Sequence, residues 1–264
     1  MRAQITPLIL TFNEKENIGR TLSQLTWARE VVVLDSGSSD GTCEIALSFP
    51  NVRVVTRAFD NHAAQWNHGL RASGIDSEWV LALDADYVLT GELIEELGKL
   101  APATDTAGFR TRFRYFVLGK PLSRSMYPPV VTLYRRLRAC YVQDGHTQRA
   151  VIDGNVLELR SEIGHDDRKP LSLWLVAQDR YAQLECDLLR QRTWSCLSWQ
   201  DRIRKLIIVA PWLVPLYCLT IGLGGLDGSA GLFYALQRGI AESILSIKLV
   251  EAAVSSHGKR APQS

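Results

Sequence analysis

The sequence predicts an α/β fold built on a parallel sheet, followed by a strand-rich part and an apolar helical end. Three observations point there. Over the first hundred residues, short apolar runs alternate with stretches of helical spacing. Residues 107–160 lose that alternation, and Leu206 to Gly225 carries no charged side chain. With 264 residues, 46% hydrophobic and 22% charged, the chain has the composition of one large folded domain or two small ones. A net charge of +2 gives no electrostatic case for a nucleic-acid partner. The cysteines are odd in number and lack C-x-x-C spacing, which points away from a disulfide framework and a zinc knuckle alike. The start, Met-Arg-Ala-Gln, runs straight into a strand-like segment without the apolar core of a secretory signal. A reducing, cytosolic setting is therefore expected for the folded part.

The elements follow in order. Ile5 to Thr11 is a buried strand, and Asn13 with Glu16 has the spacing of a capping box before a helix bearing Ile18, Leu22 and Leu25. Val31 to Leu34 is a second strand that stops at Asp35, and Ser36-Gly37-Ser38-Ser39-Asp40-Gly41-Thr42 is a turning and capping loop. Val52 to Val55 gives a third strand and Asn61 to Ser73 a helix. Trp79 to Leu83 is a fourth strand ending at Asp84-Ala85-Asp86, and Glu92 to Leu100 a helix with Leu93, Leu97 and Leu100 on one face.

Ligands of such sheets bind outside the carboxyl ends of the strands, where Asp35, Asp84 and Asp86 stand. One aspartate there is ordinarily a turn or helix cap, whereas three acids at two strand ends point to a ligand crevice. Asp-x-Asp can grip a divalent cation and, through it, a diphosphate, and hard oxygen donors suit Mg²⁺ or Mn²⁺. Neither a Walker lysine motif nor a GxGxxG fingerprint is present.

Thr11-Phe12-Asn13-Glu14, the Asp35 to Thr42 segment and Asp84-Ala85-Asp86 together resemble the inverting glycosyltransferases of family 2, which have the GT-A fold. Gly224-Gly225-Leu226-Asp227-Gly228 resembles the bacterial subgroup related to lipopolysaccharide-core enzymes. The resemblance implies a nucleotide-sugar donor held by Thr11, Asn13, Glu14 and Asp35, with Asp40 supporting the loop. It implies Asn67 near the base, and Asp84 and Ala85 along the donor, with Asp84 facing the ribose or the metal's water shell. Asp86 would ligate the metal. Several relatives carry a third acid where this chain has Tyr87.

Inverting transfer also needs a base, and the candidates are Asp144, Asp166 and His146, in that order. Relatives often carry a His-Glu pair near His146, where this chain has Thr147. Arg110, Arg112 and Arg114 alternate with Thr111, Phe113 and Tyr115 as on a strand with one basic face, extended by Arg135, Arg136 and Arg138. That face is either a solvated edge or a grip on an anionic acceptor. Leu171 to Leu189 reads as an amphipathic helix with Leu171, Trp174, Leu175, Tyr181 and Leu188 near one face. Arg202, Arg204 and Lys205 precede the charge-free segment, which has the length of a membrane span but is broken by Pro211, Pro215 and glycines. A buried core helix, an interfacial or re-entrant segment, and a true span all remain open for it.

Residues 1–105 are thus expected to form a nucleotide-sugar half, 106–170 an acceptor half, and 171–264 a membrane-associated helical region. The expected activity is metal-dependent transfer of a hexosyl unit to a cell-envelope glycan or lipid-linked acceptor, at the cytoplasmic face of the inner membrane. The alternatives are a polyprenyl-phosphate sugar synthase and a catalytically silent membrane-bound scaffold.

Overall fold

The computed structural model describes residues 4–124, 127–144 and 147–258. The chain divides into two compact units, one of residues 1–121 and 125–169, the other of residues 122–124 and 170–264.

The first unit begins as the alternation predicts: β1 (Ile5–Thr11), α1 (Ile18–Ser23), β2 (Val31–Asp35), α2 (Thr42–Leu47), β3 (Val52–Thr56), α3 (His62–Ala72) and β4 (Trp79–Asp84). The strands run parallel in the order β3-β2-β1-β4. Successive side chains of β1, β2 and β4 enter opposite cores. Ile9, Val33 and Leu81 pack with Ile18 and Leu22 of α1, while Leu8, Val32 and Val80 pack with Trp66 and Leu70 of α3. Burial on both faces is why these strands read as unbroken apolar runs.

The expected capping box does not form. Asn17, not Asn13, precedes the first helical residue of α1. Asn13 adopts a left-handed backbone (φ 55°), which asparagine tolerates, and its side-chain oxygen accepts from the Ser39 N–H at 3.0 Å. That oxygen therefore serves the neighbouring loop instead of the helix.

Beyond β4 the unit continues with β5 (Tyr87–Leu89), α4 (Gly91–Lys99), β6 (Thr106–Val117), β7 (Lys120–Pro121), β8 (Val130–Arg135), β9 (Ala139–Asp144), β10 (Thr147–Ile152) and β11 (Asn155–His165). The sheet extends as β4-β8-β6-β11-β5, with β7 on β6 and a separate β9–β10 hairpin. Its β4–β8, β8–β6 and β11–β5 pairings are antiparallel, so the whole sheet is mixed. No helix connects β6 to β8 among the described residues, and without a crossover element antiparallel neighbours are the accessible ones. The three-residue strand β5 escaped the sequence reading, yet its pairing of Tyr87 with His165 is what carries the end of β11 to the Asp-x-Asp turn.

Arg110, Arg112 and Arg114 do share the exposed face of β6, while Thr111 and Phe113 are buried. Arg112 donates to the Arg160 carbonyl and Arg114 pairs with Glu162 at 3.1 Å. Arg135 and Arg136 serve the fold: Arg135 pairs with Glu78 and lies 4.8 Å over the Trp79 ring, and Arg136 donates to the Leu70 carbonyl.

The second unit contains α5 (Leu171–Gln191), α6 (Trp199–Lys205), α7 (Ala210–Leu219) and α8 (Gly228–Gly258). Its core is Ala182, Cys186, Leu189, Leu197 and Leu245. Of α5 only the second half is buried, so the predicted stripe is wrong: Leu171, Leu175 and Tyr181 are exposed. The helix packs through Leu189 and the small residues Ala182 and Cys186, which a search for large apolar side chains overlooks. The turn between α7 and α8 lies close against the first turn of α8, where a Cβ on Gly231 would stand 1.8 Å from the Gly224 carbonyl oxygen.

The charge-free segment is likewise not one helix. Among the described residues no single helix is long and apolar enough to cross a membrane. Ala210–Leu219 and Gly224–Ser255 pass on length and composition only as a pair, bent by 66°.

Candidate active site

The register of the parallel strands sets Thr11 beside Asp35 and Leu10 beside Asp84, so the loops after β1, β2 and β4 open at one edge of the sheet. Asp35 is almost wholly buried. It accepts from Thr11 Oγ1 at 3.1 Å, from the Gly37 and Ser38 N–H groups at 2.8 Å each, and from the Ser38 hydroxyl. Burial alone would raise its pKa, but the bonds from Ser38, Gly37 and Thr11 outweigh it and hold the carboxyl below its ordinary value. Asp40 is lowered in the same balance, burial being outweighed by bonds from Thr42 and the Lys15 N–H. The first loop is laced to the second: Asn13 N–H donates to Ser38 Oγ and Glu14 N–H to Thr42 Oγ1, both at 2.8 Å.

The other predicted residues have separate local roles. Asn67 binds both backbone groups of Tyr141, through Nδ2 at 2.8 Å and Oδ1 at 2.9 Å, and so ties α3 to β9. The Ala85 methyl packs in the core, and the hydroxyl of Thr21 on α1 donates to the Ala85 and Tyr87 carbonyls at 2.6 and 2.8 Å. That contact fixes the Asp84–Asp86 turn. Asp84 is half-buried and Asp86 buried, and both are pushed above the usual carboxylate range by burial, with repulsion from Asp86 adding to the rise at Asp84. Asp86 Oδ1 has no hydrogen-bond partner, while Oδ2 lies 3.4 Å from His165 Nε2. Tyr87, at the position of the relatives' third acid, is raised by burial and then by both aspartates, so it stands there as a neutral phenol.

The sequence reading named Asp166 but missed the cluster gathered around it where β11 ends: Arg20, Arg168, Lys169 and Asn17. Asp166 N–H donates to the Asp86 carbonyl at 3.1 Å. Asp166 Oδ2 holds Arg168 at 2.7 Å, with Arg20 at 3.8 Å, and its Oδ1 is buried without a partner. Lys169 pairs with Glu14 at 2.6 Å, and buried Asn17 donates to both Glu14 and Asp167 at 2.9 Å. Burial raises the Glu14 carboxyl, against the pull of Lys169. The string Asp166-Asp167-Arg168-Lys169 was the available signal, four charges directly after an apolar strand end. Two candidate bases cannot be joined to this geometry: His146 and the Asp144 side chain lie outside the described residues.

Asp35→Asn should cost about 2 kcal/mol or more at neutral pH, since an amide cannot accept from two N–H groups and two hydroxyls at once. With a folded pKa below the ordinary 3.8, the charge stabilises the fold above pH 3.8 and ceases to as pH falls beneath it. Denaturant melts of variant and wild type should differ at pH 7 and converge in acid.

A model of one family, described as glycosyl transferase family 2, matches residues 8–150, more than half of the chain. Over 120 residues the chain is 28% identical to the lipopolysaccharide core biosynthesis glycosyltransferase LpsC of Rhizobium meliloti (strain 1021), covering 44% of each. Over 95 residues it is 30% identical to an uncharacterized glycosyltransferase of Rickettsia typhi, covering 36% of this chain and 32% of that one. The chain thus spans less than half the length of either curated relative. S. aureus TarS 1-349, solved in complex with UDP, superposes with a TM-score of 0.50 at 16% identity, over 97% of this chain and 92% of that one. That likeness is one of fold, a mixed α/β sheet of GT-A type with C-terminal helices. By the family match over more than half of its length, the chain belongs to glycosyl transferase family 2.

Proposed function

We propose that the chain transfers a sugar, with inversion, from a nucleotide-sugar donor to a cell-envelope glycan or glycolipid. The observation that carries this is the gathering of loops at the carboxyl ends of β1, β2 and β4, beside the buried, unpartnered Asp86 Oδ1. The match to LpsC supports a core-glycan acceptor, and the UDP held by TarS supports a nucleoside-diphosphate donor.

A divalent cation fits this site only in company. Among the described residues no three His, Cys, Asp or Glu side chains stand close enough to hold an ion by themselves. Asp86, with Asp84 near it, offers hard oxygen donors, and Mg²⁺ or Mn²⁺ commonly takes one or two carboxylates and completes its shell with phosphate and water. When bound, the ion would neutralise charge building on the leaving diphosphate. The chain's own parts then have distinct tasks. Thr21 fixes the Asp84–Asp86 turn, and Asp35 keeps the second loop shaped for the nucleotide. The Glu14–Lys169 pair holds a cation whose field reaches Asp86. The acceptor oxygen bonds to the anomeric carbon as the bond to diphosphate breaks, and its proton passes to an aspartate.

Asp86→Ala should lower kcat at least about 100-fold while circular dichroism stays native. Full wild-type activity in excess chelator would contradict the metal role. Asp144→Asn should lose kcat with donor affinity kept, as a base acts on the acceptor proton in the transition state. Asp166→Asn should instead lower the melting temperature, because its carboxylate holds Arg168 and Arg20. The reverse pattern would move the base to Asp166.

A further inference from the structure

The helical unit leaves its most apolar side chains uncovered. Ile208, Trp212 and Leu226 are 73%, 78% and 79% exposed, and Trp199, Leu216 and Ile247 are exposed as well. A groove of about 470 Å³ opens between the start of α7 (Ile208, Pro211, Trp212) and α8 (Ile247, Val250), with Glu251 at its border. Singly exposed apolar residues are ordinary, but Ile208, Trp212, Ile247 and Val250 are exposed and line one groove, a contiguous apolar surface of the kind that is covered in use.

Charge is arranged differently from what the sequence suggested. Arg204 turns inward to buried Glu242 at 2.9 Å and to Glu185 at 3.4 Å, and Lys205 donates to the Arg192 carbonyl. Asp227, which ends the charge-free segment, accepts from the Ser123 N–H. These acids are therefore met inside the unit, while Arg190 and Arg202 remain exposed.

We propose that this face, centred on Trp212 and the α7–α8 groove, docks on an anionic lipid surface and lies in its interface without crossing it. Two facts favour lipid over a protein partner. By length and composition the bent pair together meets the measure of a membrane span, whereas a non-obligate protein interface is about as apolar as ordinary surface. Trp199 and Arg202, three positions apart on α6 and both exposed, suit the headgroup level, where amphipathic rings and cations both find partners. No single helix is both long and apolar enough to span: α7 has ten residues with Pro215 inside it, and α8, 31 residues long, is not apolar enough, which suits a segment lying within the interface. Docking is independent of the proposed reaction.

The test is sedimentation of the full chain with vesicles of phosphatidylethanolamine and phosphatidylglycerol, at about 0.1 M and about 1 M salt. The protein should sediment with the vesicles at both, because the anchor is mainly apolar, and detergent should release it. Combined Trp212→Glu and Leu226→Glu, both exposed in the wild type, should lower partitioning at least about tenfold with circular dichroism unchanged. Arg202→Glu, a second variant, should weaken binding only at low salt. Wild type left in the supernatant at low salt would overturn the proposal, as would Trp212→Glu/Leu226→Glu partitioning like wild type. So would lipid-free dimers, broken by the same double substitution, in a protein that ignores vesicles; the face would then belong to a second copy. UDP-sugar binding by each variant, measured in parallel, separates failure of docking from failure of the proposed reaction.

Discussion

Asp35 leaves β2 at the edge of the sheet with almost no access to water, so the chain itself must satisfy its charge. It does so from two directions: Thr11 at the end of β1, and Gly37 and Ser38 in its own loop. The same Ser38 hydroxyl accepts from Asn13, so one ionised carboxylate holds together the loops after β1 and β2. Without those bonds the Gly37 and Ser38 N–H groups would lose their shared acceptor, and the loops after β1 and β2 would lose the link between them.

The other side of the site is built from a distance. β11 returns beside β5, and the pairing of His165 with Tyr87 puts the Asp166 to Lys169 string against the Asp84–Asp86 turn. Glu14 in the first loop then reaches Lys169, so residues about 150 positions apart close one network. A buried acceptor without a partner, Asp86 Oδ1, stands beside all of this charge. Such an atom is costly to leave unmet, which is the physical reason for assigning it to a ligand or ion brought from outside.

The parallel strands were legible because burial on both faces leaves only apolar residues to choose from, as at Val31 to Leu34 and Trp79 to Leu83. Strand ends were legible for the same reason, since Asp35 and Asp84 interrupt those runs abruptly. What the sequence concealed depends on distant partners. Asn13 has the spacing of a helix cap, but Ser39 offers its oxygen a donor and its backbone turns left-handed. Arg204 is hydrophilic by type and stands just before the charge-free segment, yet Glu242 and Glu185 draw it inward. The short β5 is specified less by its own three residues than by β11, which lies more than 70 positions away. Asn67 matches a position the family resemblance assigns to the base, while both its polar atoms meet the backbone of Tyr141.

The central claim is that Asp86 joins the donor's diphosphate through a divalent cation. Calorimetric titration of UDP into the protein, with Mn²⁺ and then with chelator, tests it most directly. Asp86→Asn serves as the comparison. Binding should be strong with Mn²⁺ and weakened at least about tenfold either by chelator or by the substitution, the two losses not adding. Equal affinity in all three conditions would contradict the account.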